Sequence, residues 1–235
     1  VNITIQLKAF EESIEYQFQN RELLIQALTH SSYANEQKLV KSKNYERIEF
    51  LGDAVLELVS SEFLYEKYPD MLEGQLTKKR AMAVCEMALA DVAKEIYLGD
   101  YLLLGKGEES TGGRNRDSII ADCIEAIIGA IYLDSGLDQA KKFIHRFILS
   151  DFEKKQLFYD AKSTLQELVQ RNKDGDLNYA LVEESGPDHE KTFVTQVIVK
   201  GEVIGVGYGK SKKLSEQSAA YDALLKMQNK YSEQV

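Results

Sequence analysis

The segment SIIADCIEAIIGAIYL (Ser118–Leu133) is apolar around the whole circumference of a helix, with only Asp122 and Glu125 interrupting it. A helix that is apolar all round must be buried. Carboxylates inside such a helix are costly unless a cation or a set of donors meets them. The chain must therefore fold around this helix and also supply something to face the two acids. These stand three residues apart and share a face.

A second segment has the same character. In NYERIEFLGDAVLEL (Asn44–Leu58), Ile48, Leu51, Val55 and Leu58 repeat at helical spacing, and Phe50, Ala54 and Leu56 add to the apolar surface. Glu46, Glu49 and Asp53 cut through it on one face. Gly52 is costly inside a helix, and close approach by another helix is a reason to keep it. If the two helices face each other, Glu49, Asp53, Asp122 and Glu125 converge. Four carboxylates together cannot all stay ionised without a cation. Two readings stay open. Each acid finds an arginine (Arg47, Arg80, Arg114 and Arg116 are available) or a helix N-terminus, or the group holds a metal. Carboxylate oxygens without His or Cys suit magnesium or manganese rather than zinc, and such sites activate water for attack on phosphodiesters. His30, His145 and His189 are scattered and offer no paired acid and base; His30, in LTHSS, is expected to pack or cap locally.

Residues 1 to about 150 read as helix after helix, with apolar residues at helical spacing in Arg21–Leu28, Arg47–Tyr68, Gln75–Tyr97, Ser118–Ser135 and Leu137–Phe152. Lys106–Asp117 is polar and reads as a loop. The pattern then changes. Glu153–Tyr159 reads as a connector and Asp160–Arg171 as a helix. Leu177–Glu183, Lys191–Val199 and Glu202–Tyr208 read as strands, with alternation clearest in Thr192–Val199 and a tight turn at Lys200–Gly201. Lys212–Lys230 closes as a helix. The expected fold class is α+β in two domains: an all-α domain at 1–153, a linker at 154–159, and a small α-β-β-β-α domain at 160–230.

Of the 235 residues, 44% are hydrophobic and 29% charged, an ordinary globular composition. No apolar run approaches the ~20 residues that span a bilayer, and the N-terminus lacks a basic region followed by a long apolar core, so neither a membrane anchor nor a signal peptide is expected. Cys85 and Cys123 lie in apolar stretches without metal-ligand spacing, which points to a reducing cytoplasm. The net charge of −9 argues against a simple nucleic-acid binder. The last domain is itself mildly acidic, with 10 Lys and Arg against 12 Asp and Glu in 160–235. Yet Lys210, Lys212 and Lys213 cluster at the start of its last helix, where lysines and free N–H groups favour phosphate. A solvated lysine run is the plain alternative.

At these residues the sequence resembles ribonuclease III. ERIEFLGDAVL (Glu46–Leu56) matches the family's signature closely, and the match continues through LTHSS (Leu28–Ser32), GQLTKKR (Gly74–Arg80), Gly112–Arg116 and Asp117–Gly129. Asp160–Glu167, Gly186–Phe193 and Gly207–Ala220 resemble a double-stranded RNA-binding domain. The resemblance implies a magnesium-dependent endoribonuclease, with manganese able to substitute, that cuts double-stranded RNA to 5′-phosphate and 3′-hydroxyl products with short 3′ overhangs. It implies a homodimer through the nuclease domain, and roles in ribosomal RNA precursor processing and turnover of structured messages.

By the same resemblance, Glu49, Asp53, Asp122 and Glu125 hold the metal, and Asp53 and Glu125 matter most for turnover. Glu46 and Glu73 handle substrate. Gln166 and Glu167 reach a minor groove, Pro187 and His189 the next, and Lys210, Lys212 and Lys213 the major groove between them, over ~16 base pairs. Phe50 is either an apolar knob at the subunit contact or plain core. The alternative to a nuclease is a protein that binds duplex RNA without cutting it.

Overall fold

The computed structural model describes residues 3–172, 175–187 and 191–232. They divide into two compact units, Val1–Phe152 and Glu153–Val235. The first is helical and the second is α-β-β-β-α, so the α+β expectation holds. No helix among the described residues is long and apolar enough to cross a membrane.

The first unit contains α1 (Ile3–Ser13), α2 (Arg21–Ala27), α3 (Ser31–Glu36), α4 (Glu46–Lys67), α5 (Glu73–Ala83), α6 (Glu86–Glu95), α7 (Lys106–Ser110), α8 (Asp117–Ser135) and α9 (Leu137–Phe143). The apolar helix α8 is its axis. Ile124, Ile127, Ile128 and Ile131 are wholly buried there, packed with Leu56, Val59 and Leu64 of α4 and Leu89 and Val92 of α6. Helices α4 and α8 touch backbone to backbone. A Cβ placed on Gly52 would lie 1.8 Å from the Glu125 carbonyl oxygen, and one on Gly129 would lie 2.3 Å from the Ile48 oxygen. Gly52 is therefore kept for close approach, as its place in the sequence suggests.

Three expectations change in this unit. Gln75–Tyr97 is not one helix: it breaks at Val84 and Cys85, where Cys85 is extended (φ −69°, ψ 155°) and α6 restarts. The break lets α6 turn its apolar face onto α8, while the apolar spacing runs through without a glycine or proline to mark it. Leu137–Phe152 is likewise interrupted, by a π-helical turn at Ile144–Leu149 that keeps Ile144, Ile148 and Leu149 buried. The loop Lys106–Asp117 contains α7 and a 3₁₀ turn at Gly113–Asn115.

The second unit begins one residue into α10 (Phe152–Tyr159), so the stretch read as a linker is helical. Its end packs on the unit's own core: the Phe158 ring sits edge-on to Tyr221, centroids 5.4 Å apart. Then follow α11 (Ala161–Arg171), β1 (Leu177–Ser185), β2 (Thr192–Val199), β3 (Glu202–Gly209) and α12 (Lys212–Ser232). The strands form an antiparallel sheet in order β1-β2-β3. Lys200 and Gly201 both take positive φ (53° and 82°), as a tight hairpin turn matching the strand twist requires. Val197 and Val199 pack on Leu165 and Val169 of α11 and on Ala219, Ala220 and Ala223 of α12. A Cβ on Gly207 would lie 2.0 Å from the Ala219 nitrogen, so β3 takes glycine where α12 crosses it. On the outer edge of β3, the Val206 N–H donates to Asp222 of α12 at 2.9 Å.

Candidate active site

The contact at Gly52 and Gly129 determines which side chains meet. Glu49 lies one turn before Gly52 and Asp53 directly after it, while Glu125 supplies the carbonyl that Gly52 touches and Asp122 lies one turn earlier. The four acids thus flank one backbone contact. Asp53 is exposed, and the other three are half-buried.

Their fields overlap. Glu49 is pushed up to about 7, first by burial and then by Asp122, Glu46 and Asp53. Glu125 is pushed up to about 8, first by burial and then by Asp53, Glu49, Asp122 and Glu57. Asp122 is raised by burial and by Glu86, and is partly relieved by His30 and Tyr45 beside it.

The arginines do not answer these charges. Arg80 pairs with Glu57 at 2.6 Å, Arg114 with Glu109, and Arg116 with Glu108. Among the described residues, no ion pair reaches Glu49, Asp53, Asp122 or Glu125. The arginine-paired reading of the acids is thereby disfavoured. The acids also stop short of a closed cage, since among the described residues no three Asp, Glu, His or Cys side chains meet closely enough to hold one ion. By chemistry the group fits a hard divalent cation: all four side chains offer carboxylate oxygens, no lysine or arginine pairs with them among the described residues, and Asp53 is exposed.

The remaining sequence candidates are placed as follows. Glu46 opens α4, exposed, within the field of Glu49. Glu73 opens α5, exposed, where it accepts from Thr77 Oγ1 at 3.0 Å. On α11, Gln166 and Glu167 point outward while Leu165 and Val169 face the core. Pro187 is exposed, and His189 lies outside the described residues. Lys210, Lys212 and Lys213 are exposed at the start of α12, with Lys212 also 3.9 Å from Glu184. The plain-core reading of Phe50 fails: it is 79% exposed, and Leu58 and Tyr65 on the same helix are exposed with it.

Sequence reasoning missed several neighbours. His30 caps α3, its Nδ1 accepting from the Ser32 N–H at 3.1 Å, as expected of a local cap. It also stands within the field of Asp122 and Glu46, and burial lowers its affinity for a proton. Glu86 acts on Asp122 from α6. No spacing in the sequence links these residues, because only the tertiary fold brings α3, α6 and α8 together. For Glu57 a signal existed: it is four residues from Asp53 on one helix.

Comparison with known proteins agrees with this architecture. The family profile described as Ribonuclease-III-like matches residues 20–152, and the double-stranded RNA binding motif matches residues 161–227. The chain is 50% identical to Ribonuclease 3 of Bacillus velezensis over 97% of its own length and 93% of the relative's. It is 51% identical to Ribonuclease 3 of Caldanaerobacter subterraneus over 94% of its own length and 98% of the relative's. A solved nuclease domain of ribonuclease III from Campylobacter jejuni, described for flexibility in a region involved in dimer formation, superposes with a TM-score of 0.58 at 44% identity, covering 63% of this chain and 99% of that one. A helical nuclease unit, a double-stranded RNA-binding unit and relatives alike along nearly the whole chain place this protein in the ribonuclease III family of endoribonucleases.

Proposed function

We propose that the protein cleaves double-stranded RNA with magnesium, or manganese in its place, leaving 5′-phosphate and 3′-hydroxyl ends with short 3′ overhangs. The observation that carries this reading is the convergence of Glu49, Asp53, Asp122 and Glu125 on the α4–α8 contact, with Glu49, Asp122 and Glu125 raised by burial and neighbouring acids and no lysine or arginine paired with the four among the described residues. Glu49, Asp53, Asp122 and Glu125 would hold the metal. When bound, it would neutralise this charge, activate water and stabilise the leaving oxygen. Asp53 and Glu125 are the catalytic residues of this reading. Glu46 and Glu73 steer the strand near the scissile phosphate. Lys210, Lys212 and Lys213 bind phosphates across a major groove, Gln166 and Glu167 reach one flanking minor groove, and Pro187 and His189 the other.

The active form in this reading is a homodimer through the nuclease unit. Phe50, Ala54, Leu58 and Tyr65 follow one another at helical spacing on α4 and are all exposed. An apolar row of this kind calls for cover, and the Campylobacter relative's dimer-forming region supports a second copy as its occupant. Two-fold symmetry then accounts for paired cuts. The free thiols Cys85 and Cys123 suit a cytoplasmic setting, where ribosomal RNA precursors and structured messages are the expected substrates.

The test is cleavage of an end-labelled duplex by wild type and Glu125→Gln, with magnesium and with EDTA. Cutting by wild type with magnesium alone, and binding without cutting by the variant, support the reading. Binding without cutting by wild type across magnesium and manganese would leave a duplex-binding protein and refute the nuclease assignment.

A further inference from the structure

The start of α12 is fastened by three consecutive side chains, each reaching a different element. Ser215 Oγ donates to the Lys212 carbonyl at 2.9 Å and lies 2.7 Å from Thr195 Oγ1 on β2. The serine proton is thereby used, so Thr195 donates to Ser215. Glu216 forms an ion pair with Lys162 on α11. Gln217 Nε2 donates to the Phe158 carbonyl at the end of α10, at 2.6 Å. Ser215 and Gln217 are buried. The Lys162–Glu216 pair is about a third exposed on each side, and the lysine ammonium stands 4.7 Å from the centre of the Tyr179 ring.

What flanks this fastening gives it meaning. Lys210, Lys212 and Lys213 lie just before it, and Gln166 lies one turn beyond Lys162 on α11. Glu216 follows Lys212 by four residues and Lys213 by three, the spacings at which helical side chains meet. An unpaired carboxylate there would draw both lysines back from a phosphate. Paired with Lys162, its charge is met inside the unit, and the two helices are tied where both present side chains outward.

We propose that Lys162 and Glu216 are positioning residues for duplex RNA: their ion pair sets the lysine-bearing start of α12 against α11 and turns the Glu216 charge away from the phosphate path. This rests on the assignment of those lysines as RNA contacts. Neither Lys162 nor Glu216 needs to touch RNA.

The experiment measures binding of the full chain to a labelled duplex of about 20 base pairs, longer than one binding footprint, by fluorescence anisotropy in EDTA. The variants are Glu216→Gln, Glu216→Lys, Lys162→Glu, the double exchange Lys162→Glu with Glu216→Lys, and Lys213→Ala. A purely additive charge effect makes Glu216→Gln and Glu216→Lys bind tighter, because the first removes a negative charge beside the phosphate lysines and the second also adds a positive one. Positioning predicts the opposite: Glu216→Lys and Lys162→Glu each weaken binding about fivefold, the upper range for a partly exposed pair, and the double exchange recovers wild-type affinity. Unchanged or tighter binding by Glu216→Gln and Glu216→Lys overturns the proposal, and so does a double exchange that fails to recover. If Lys213→Ala has no effect, the RNA-contact assignment itself falls, and the positioning role with it. If Lys213→Ala weakens binding while Glu216→Lys does not, the positioning role alone falls.

Discussion

Replacing Glu125 by glutamine should make the metal-free protein more stable, although it removes a residue proposed to be essential. Glu125 is half-buried among Asp53, Glu49 and Asp122, and its carboxyl moves from 4.5 to about 8. Below about pH 4.5 the group is protonated in both the folded and the unfolded chain, and the folded state loses nothing. As pH rises toward 8, the unfolded chain ionises freely while the folded chain must hold the proton or bear the repulsion, so metal-free stability falls across this window. At pH 7.5 the whole displacement would amount to ~4 kcal/mol. Glu125 is partly open to water and coupled to its neighbours, so screening reduces this to ~1–2 kcal/mol. For a chain of this size that corresponds to a melting temperature higher by about 2–8 °C. Glutamine has the same shape and no charge. Circular dichroism melts in EDTA should therefore show Glu125→Gln above wild type at pH 7.5, with the gap narrowing at pH 5. Magnesium should raise the wild-type melting temperature by linkage and the variant's much less. A variant that melts below wild type in EDTA at pH 7.5, or a gap indifferent to pH, would refute the electrostatic reasoning.

Other perturbations test other parts of the structure. Gly52→Ala puts a methyl group into the Glu125 backbone; it should cost ~3 kcal/mol or more and abolish cleavage, read by thermal melting and duplex cutting. Phe50→Arg leaves the core untouched, because Phe50 is exposed; in sedimentation equilibrium it should convert a dimer to a folded monomer. Ser215→Ala strands the buried Thr195 hydroxyl and should cost ~1–3 kcal/mol in the second unit, seen as earlier loss of amide protection there with the first unit unaffected.

The central packing of the fold was legible because it is written in apolar spacing. A helix apolar all round had to be an axis, and Gly52 marked where a second helix meets it. Alternation in Thr192–Val199 marked β2, whose residues alternate between buried and less buried positions. The breaks were not legible. At Val84–Cys85 the apolar rhythm continues while the backbone turns, and no glycine or proline interrupts it. Phe50 shows a related limit: helical spacing identifies an apolar row, but not whether the chain's own core or another surface will cover it. In the acidic group, the acids themselves could be read from the sequence, but the destinations of the arginines could not. Arg80, Arg114 and Arg116 find Glu57, Glu109 and Glu108. That leaves the acids without those counter-charges, an arrangement only the assembled tertiary structure defines.

The hydrogen bond from Val206 to Asp222 has a consequence for how copies of this protein behave when crowded. The outer edge of β3 carries main-chain groups that a second strand could use as a template, and Val203 and Tyr208 on that strand are exposed. Such edges promote unwanted sheet growth between molecules. Asp222 occupies a donor in the middle of the edge and brings a charge with it, itself paired with Lys226 at 2.6 Å. An incoming strand would have to displace that carboxylate before it could zip along β3. The β3 edge of this unit thus meets another copy with a charged carboxylate across it rather than an open row of main-chain donors.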